Sequence, residues 1–329
     1  MATIKDVAKE AGLTVTTVSR VLNNRGYISD DARERVRLAM QKLNYQPNEV
    51  ARSLHKKSSK TIGVIVPHIR HPYFAEMISN IENIAYKKGY RILLCNSQEK
   101  EEKEKEYIEI CTSNRVAGII LFSGLVDVDT FIKMDIPVIT MERYLDNGTA
   151  SVECDNLEGG ALAAQKLIDN GCKNLMMIGS TASNVELPAD LRATGFRKVC
   201  DEKSITYVEV DPEVSAYNNM TYDEMLEDAL KKYPDTDGVF ASSDVIAAQT
   251  LQVCSKMHIS VPEQMKIIGF DDVSIAQLTT PKLTTIHQPI KEMAESAVDL
   301  LLNAAEGKMV AKKTVLPVQL IERGTTATS

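Results

Sequence analysis

At 329 residues, 44% of them hydrophobic and 25% charged, the chain is long enough for two or three compact units and too apolar to stay disordered. No run reaches the ~18 apolar residues that a membrane helix needs, and the first residues lack the apolar stretch of a signal peptide, so a soluble, cytoplasmic protein is expected. The net charge of −7 argues against a nucleic-acid partner until its distribution is read: residues 1–60 hold twelve Lys or Arg against six Asp or Glu, and the remainder is strongly acidic. A basic head on an acidic body suits a polyanion bound by the head alone. The six cysteines lie far apart, with no C-x-x-C pair and no histidine at ligand spacing. Reduced, buried thiols are expected, with no disulfide, metal or cofactor.

Ile4, Val7, Ala8 and Ala11 recur at helical spacing, and Thr3 with Asp6 three residues later reads as a capping box. Gly12 ends that helix where the chain must turn sharply. Thr14 caps a second helix over 15–23, with Val18 and Val21 inward and Val15, Thr16, Thr17, Ser19 and Arg20 left outward. A third helix runs over 30–44, capped by Ser29 or Asp30, with Val36, Met40 and Leu43 inward. Small Ala8 at the helix crossing and Gly12 at the corner fit a helix-turn-helix. An ordinary three-helix bundle satisfies much of the same spacing. The outward face of the second helix weighs against it, because small hydroxyl and cationic side chains reach phosphates and base edges. Pro47 fits the first position of a short helix over 48–55, with Ala51 and Leu54 on one face. Two turns are too short to persist alone in water, so that face needs the core or another partner to pack on.

From residue 61 onward, apolar runs at 61–66, 91–95, 117–122, 137–141, 174–178, 238–241 and 266–270 read as strands. Amphipathic segments at 73–88, 157–170, 187–200 and 244–257 read as helices. Alternation of this kind predicts parallel, doubly wound sheets, with strands enough for two lobes. The chain is expected to cross between lobes near 155–160, 284–290 and 318–322. The alternating charges of 99–106 read as a solvated helix face. Ligands of doubly wound sheets bind beyond the carboxyl ends of the strands. Tyr73, Phe74, Arg143, Ser243, Asp244 and Asp271 follow such ends, a set of carboxylates, guanidinium and aromatic rings suited to a polyhydroxylated ligand. Taken singly, Asp244 is also a plain helix cap. No P-loop, G-x-S-x-G or Cys–His pairing marks an enzyme.

The runs TIKDVAKEAGLTVTTVSRVLN (3–23) and LNYQPNEVARSL (43–54) resemble the head and hinge of the LacI/GalR family of bacterial repressors. IGVIVPHIRHPYFAEM (62–77), EGGALAAQKLIDNG (158–171), LRATGF (191–196), IIGFDDVSIAQLTTPKLTTIHQP (267–289) and LPVQLIERGTT (316–326) extend the resemblance along the body. It implies a helix-turn-helix head over 1–47, a hinge over 48–60, and a two-lobed core like the periplasmic sugar-binding proteins over 61–329. Val15, Thr16 and Arg20 would then read base edges, and Thr3, Thr17, Ser19 and Asn23 would fix the DNA backbone. Leu54, with Ala51 on the same face, would wedge into the minor groove of a pseudo-palindromic operator, and Arg52 would meet phosphates. Arg192 and Asp271 match effector-contacting positions, Tyr73 and Phe74 an aromatic mouth, and Ser243 a position that is often Asn. His71 departs from the family, which commonly has Asn there. The resemblance implies a homodimer that represses a carbohydrate-utilisation operon under control of a small sugar or sugar phosphate. As an alternative, it allows a catabolite regulator that answers to a phosphorylated carrier protein.

Overall fold

Thr3 opens α1 (Ile4–Ala11) with the reciprocal box that its spacing predicts: its hydroxyl accepts from the Asp6 amide, and Asp6 Oδ2 accepts from the Thr3 amide at 2.8 Å. Gly12 closes the helix at φ 61°, and Arg35 Nη2 donates to the Ala11 carbonyl at 2.6 Å, satisfying a helix-end acceptor. Thr14 caps α2 (Val15–Asn23) by accepting the Thr17 amide at 3.1 Å. Ser29, not Asp30, caps α3 (Asp30–Lys42), which stops before the predicted end because Asn44 turns left-handed at φ 45°. The three helices share a core of Val7, Ala8, Ala11, Val18, Val36 and Ala39. They belong to one unit, Met1–Ser59, and Lys60–Ser329 is another. The computed structural model describes residues 2–23, 25–45, 59–122, 136–143, 148–179 and 187–327. The predicted hinge helix, with Ala51, Arg52 and Leu54, lies outside them.

The second unit runs β1 (Thr61–Val66), α4 (Pro72–Lys87), β2 (Arg91–Asn96), α5 (Glu101–Ser113), β3 (Ile119–Leu121), β4 (Val138–Met141), β5 (Ala150–Cys154), α6 (Asn156–Asp169) and β6 (Asn174–Ile178). It continues through α7 (Leu191–Lys203), β7 (Thr206–Val210), α8 (Val214–Asn219), α9 (Asp223–Lys232), β8 (Gly238–Ala241), α10 (Asp244–Lys256), β9 (Lys266–Asp271) and α11 (Ile275–Leu278). It closes with β10 (Thr284–His287), α12 (Ile290–Ala305), β11 (Lys313–Leu316) and β12 (Gln319–Ile321). Two six-stranded sheets result, ordered β11-β5-β4-β3-β1-β2 and β12-β10-β9-β8-β6-β7. Each is the centre of a lobe. The pairings are parallel except at the edge, where β12 runs antiparallel to β10. Apolar strands such as β1, buried almost throughout, sit between helices on both faces, as parallel sheets require.

The chain passes between sheets three times. Asp155 separates β5 from α6, Gln288 and Pro289 separate β10 from α12, and Pro317 and Val318 separate β11 from β12. Residues 319–321 are thus a strand of the second sheet, fixed by Gln319 pairing with His287. β5 was hidden from the periodicity because its five residues include Ser and Glu, and edge strand β7 because it is half exposed. The helix predicted over 187–200 divides at Pro188 into one 3-10 turn, Pro188–Asp190, followed by α7. The charge run is not one solvated face. Lys105 and Glu101 pair at 2.5 Å as expected, but Glu104 is buried, and Glu99 stands ahead of α5, 3.7 Å from Arg143. All six cysteines are buried free thiols.

Candidate functional site

On the head, α2 presents Val15, Thr16 and Arg20 to solvent, with the apolar Val15 41% exposed. Thr17 and Ser19 are half-buried. Thr3 and Thr17 already serve the fold: Thr3 Oγ1 donates to Asp6 Oδ2 at 2.7 Å, and Thr17 Oγ1 lies 2.9 Å from Thr14 Oγ1. Asn23 ends α2.

The second site lies between the lobes, and glycines set its floor. A Cβ at Gly160 would stand 1.8 Å from the Arg192 carbonyl, and one at Gly195 would stand 1.9 Å from the Leu157 carbonyl. Only glycine at both positions lets α6 and α7 lie this close. The approach fixes the backbone of Arg192, whose buried guanidinium stacks 3.6 Å from the centroid of Phe270. Its Nη1 donates to the Ser242 carbonyl at 2.6 Å and its Nε to Asn156 Oδ1 at 2.7 Å. A desolvated guanidinium–ring contact of this kind contributes about 2 kcal/mol.

Asp271 ends β9 at φ 118°, a left-handed conformation that side chains rarely adopt. Strain of this order, about 1–3 kcal/mol, tends to collect at functional sites. Its Oδ1 accepts from Gln288 Nε2 at 2.7 Å. Burial pushes its carboxyl up to about 7, although Arg192 pulls the other way. Glu142, just beyond β4 at φ 52°, accepts from the Cys154 amide at 2.6 Å and from Asn156 Nδ2 at 2.7 Å. Burial raises this carboxyl too, again against the pull of Arg192.

From the first lobe, His71 caps α4 by accepting the Tyr73 amide on Nδ1 at 3.3 Å. Burial holds it down at about 4, so the ring is neutral and carries its proton on Nε2. Phe74 meets Tyr73, His71 and Phe122 edge-on, with centroids 5.2, 5.6 and 5.8 Å away. Burial, with Glu142, Cys154 and Asp271 nearby, raises the Tyr73 phenol well above its ordinary value. Arg143 Nε donates to the Phe122 carbonyl at 2.9 Å. From the second lobe, Asn218 Oδ1 lies 3.0 Å from His68 Nε2, and Tyr217 packs edge-on to the same imidazole at 5.3 Å. Among the described residues, Tyr73 Oη, Ser242 Oγ and Gln288 Oε1 are buried without a hydrogen-bond partner.

Tyr73, Arg192 and Asp271 are thus brought together, with Phe74 and Arg143 on the first-lobe side. Ser243 and Asp244 are placed differently. Ser243, not Asp244, caps α10, with Oγ accepting the Ile246 amide at 3.3 Å. Asp244 accepts from the Val273 amide at 2.9 Å and from Thr285 Oγ1 at 2.5 Å, so both oxygens tie strand ends inside the second lobe. Sequence reasoning missed Glu142, Asn156, Gln288, His68, Tyr217 and Asn218. The available signal was position: Glu142 adjoins Arg143 after a strand, and Asn156 and Gln288 stand at two crossings. No His, Cys, Asp or Glu cluster among the described residues suits a metal, and no described helix is long and apolar enough to cross a membrane.

The family model for bacterial regulatory proteins of the lacI family matches residues 3–48, and that for a periplasmic binding protein-like domain matches 164–326. The sucrose operon repressor of Streptococcus mutans serotype c is 37% identical, over 98% of this chain and 98% of its own. The ribose operon repressor of Bacillus subtilis is 38% identical, over 99% of each. Among solved structures, the lac repressor dimer bound to operator and the anti-inducer ONPF superposes with a TM-score of 0.87 at 25% identity, covering 99% of both chains. A periplasmic binding protein/LacI transcriptional regulator from Alkaliphilus metalliredigens, complexed with D-xylulofuranose, gives 0.72 at 35% identity, covering 82% of this chain and 100% of that one. Head, two-lobed core and full-length relatives agree, and the chain belongs to the lacI family of bacterial regulatory proteins.

Proposed function

We propose that this protein is a dimeric, cytoplasmic repressor of a carbohydrate-utilisation operon, released from or fixed to its operator by a small sugar or sugar phosphate held between the lobes. The observation that carries the reading is the group of buried, unpartnered polar atoms, Tyr73 Oη, Ser242 Oγ and Gln288 Oε1, around Arg192 and Asp271. Buried polar groups are almost always satisfied, and each orphan costs about 1–3 kcal/mol. A polyhydroxylated ligand supplies donors and acceptors to all of them, and the Phe74 cluster offers rings to its apolar face. The names of the sucrose and ribose operon repressors, and the sugar in the complexed relative, support the same class of ligand.

The head, residues 1–47, reads DNA through Val15, Thr16 and Arg20, while Thr3, Thr17, Ser19 and Asn23 hold the backbone. Residues 48–60 are the hinge, with Leu54 as wedge and Ala51 and Arg52 beside it. The core over 61–329 binds the effector through Tyr73, Phe74, Arg143, Arg192 and Asp271. Ser243 and Asp244 serve the fold of that core.

Fluorescence anisotropy on a labelled palindromic duplex with a central CpG, at one salt concentration, tests the reading. The duplex is titrated alone, then with ribose, sucrose, their phosphates and a phosphorylated carrier protein. Tight binding shifted by one small sugar supports the proposal. A shift caused by the carrier protein alone replaces it with a catabolite regulator. Affinity equal to that for random duplex refutes a specific operator reader of this kind.

A further inference from the structure

Two buried side chains, Arg192 and Asn156, and the half-buried Glu142 form a directional hydrogen-bond chain from one lobe to the other. Arg192 Nε–H donates to Asn156 Oδ1 at 2.7 Å, and Asn156 Nδ2–H donates to Glu142 Oε2 at 2.7 Å. Glu142 Oε1 accepts the Cys154 amide at 2.6 Å. Arg192 stands on α7 of the second lobe, Glu142 follows β4 of the first, and Asn156 opens α6 where the chain itself passes between them. Chemistry fixes the direction. A guanidinium only donates, an ionised carboxylate only accepts, and the carboxamide between them has one end for each. Two weaker contacts hold Asn156 the same way round: Nδ2–H to the Cys154 carbonyl at 3.2 Å, and Cys154 Sγ–H to Oδ1 at 3.4 Å.

The geometry points to Asn156 as a positioning residue of the effector response: it ties the guanidinium assigned to the ligand to a carboxylate of the opposite lobe, so that lobe arrangement and ligand occupancy are felt through one chain. This rests on the cleft being the effector site. The ends of the chain belong to different lobes, so a rearrangement of the lobes stretches or breaks it, and a ligand on Arg192 favours one arrangement over the other. Arg192 keeps two further anchors, the Ser242 carbonyl and the Phe270 ring. Cutting the chain therefore leaves a guanidinium in place for the ligand and removes its tie to the first lobe. Lost coupling with retained affinity is the signature.

Glu142→Gln probes this with one atom. The new carbonyl can still accept the Cys154 amide, but the new NH2 then faces Asn156 Nδ2, donor against donor. If Asn156 turns over to accept it, Nδ2 meets the Arg192 Nε–H instead. In either arrangement, or with the new amide turned so that its NH2 meets the Cys154 N–H instead, one hydrogen bond of the set is lost with the shape preserved. Asn156→Leu removes both links. The full-length protein and both variants are titrated calorimetrically with D-ribose, sucrose and D-xylulose, and operator affinity is read by anisotropy with and without each sugar. A sugar that changes wild-type operator affinity by the typical factor of about 5–150 is expected to bind the variants within about threefold, while its effect on their operator affinity falls below about twofold. Should Asn156→Leu not fold, the near-isosteric Glu142→Gln decides alone. Variants that keep the wild-type response overturn the inference, as do variants whose sugar affinity falls by the same factor as the response. A wild-type protein that binds operator but none of these sugars overturns the effector reading and this inference with it, and that outcome is recognisable because wild type and variants are then equally silent.

Discussion

Replacing Asp271 by Asn isolates the electrostatic cost of the cleft. Burial moves this carboxyl from its ordinary 3.8 up to about 7. At 1.36 kcal/mol per pKa unit, keeping it ionised costs the fold on the order of 4 kcal/mol above pH 7. The folded chain holds this proton more tightly than the unfolded chain does. Its stabilising contribution is therefore complete below pH 4 and is lost as pH rises through about 7. Asn has nearly the same shape, and its oxygen can still accept from Gln288 Nε2. It has no proton to lose. Asp244, whose carboxyl is also raised by burial and by the Asp271 charge, is relieved in the same direction. Urea unfolding of both proteins at pH 5, 6, 7 and 8 reads the effect. Between pH 5 and 8 the variant should gain about 2–3 kcal/mol on the wild type. A difference that stays constant across this range would refute the argument, because Asp271 would then be ionised throughout and Arg192 would outweigh burial.

Gly160→Ala puts a methyl group into the Arg192 carbonyl, so α6 and α7 must part, and urea unfolding should show a loss of about 1–3 kcal/mol; unchanged stability would mean that the close approach carries no constraint. Ser243→Ala removes the cap of α10 and should cost about 1 kcal/mol with sugar affinity unchanged, and a calorimetric loss of affinity without loss of stability would return Ser243 to the effector site. Leu54→Ala should weaken binding to a palindromic operator far more than binding to random duplex in anisotropy titrations; equal losses would sink the wedge assignment.

The head was almost fully legible, because its cues are local. A capping Thr3, a left-handed Gly12 and valines spaced for one face each act within a few residues, and the structure meets each of them. The cleft was legible only by rule. Strand ends pointed to Tyr73, Arg143 and Asp271, but could not say which of two adjacent polar residues turns inward. Glu142 takes φ 52°, and this reversal gives it, beside Arg143, the amides of Cys154 and Asn156. At the head of α10 the same ambiguity ran the other way. Asp244 reads as a ligand-facing carboxylate or a cap, and only the tertiary structure shows that the Val273 amide and the Thr285 hydroxyl, 29 and 41 residues on, occupy it. Gln288 and Asn156 looked like connectors because their partners, Asp271 and Arg192, are 17 and 36 residues away along the chain.

If the cleft is the effector site proposed above, the orphaned groups beside those partners supply a source of energy for a response. Satisfied polar groups would leave a ligand little to add, since its hydrogen bonds would only replace others. Here Tyr73 Oη, Ser242 Oγ and Gln288 Oε1 have no partner among the described residues, and two carboxyls are held above their ordinary range. At about 1–3 kcal/mol for each orphaned group, engaging even one differently in two lobe arrangements matches the ~1–3 kcal/mol over which allosteric coupling operates. On that reading, the energy for a ligand-driven change resides in the unsatisfied site itself. The Arg192–Asn156–Glu142 chain then has only to make the satisfaction of that site depend on where the lobes stand.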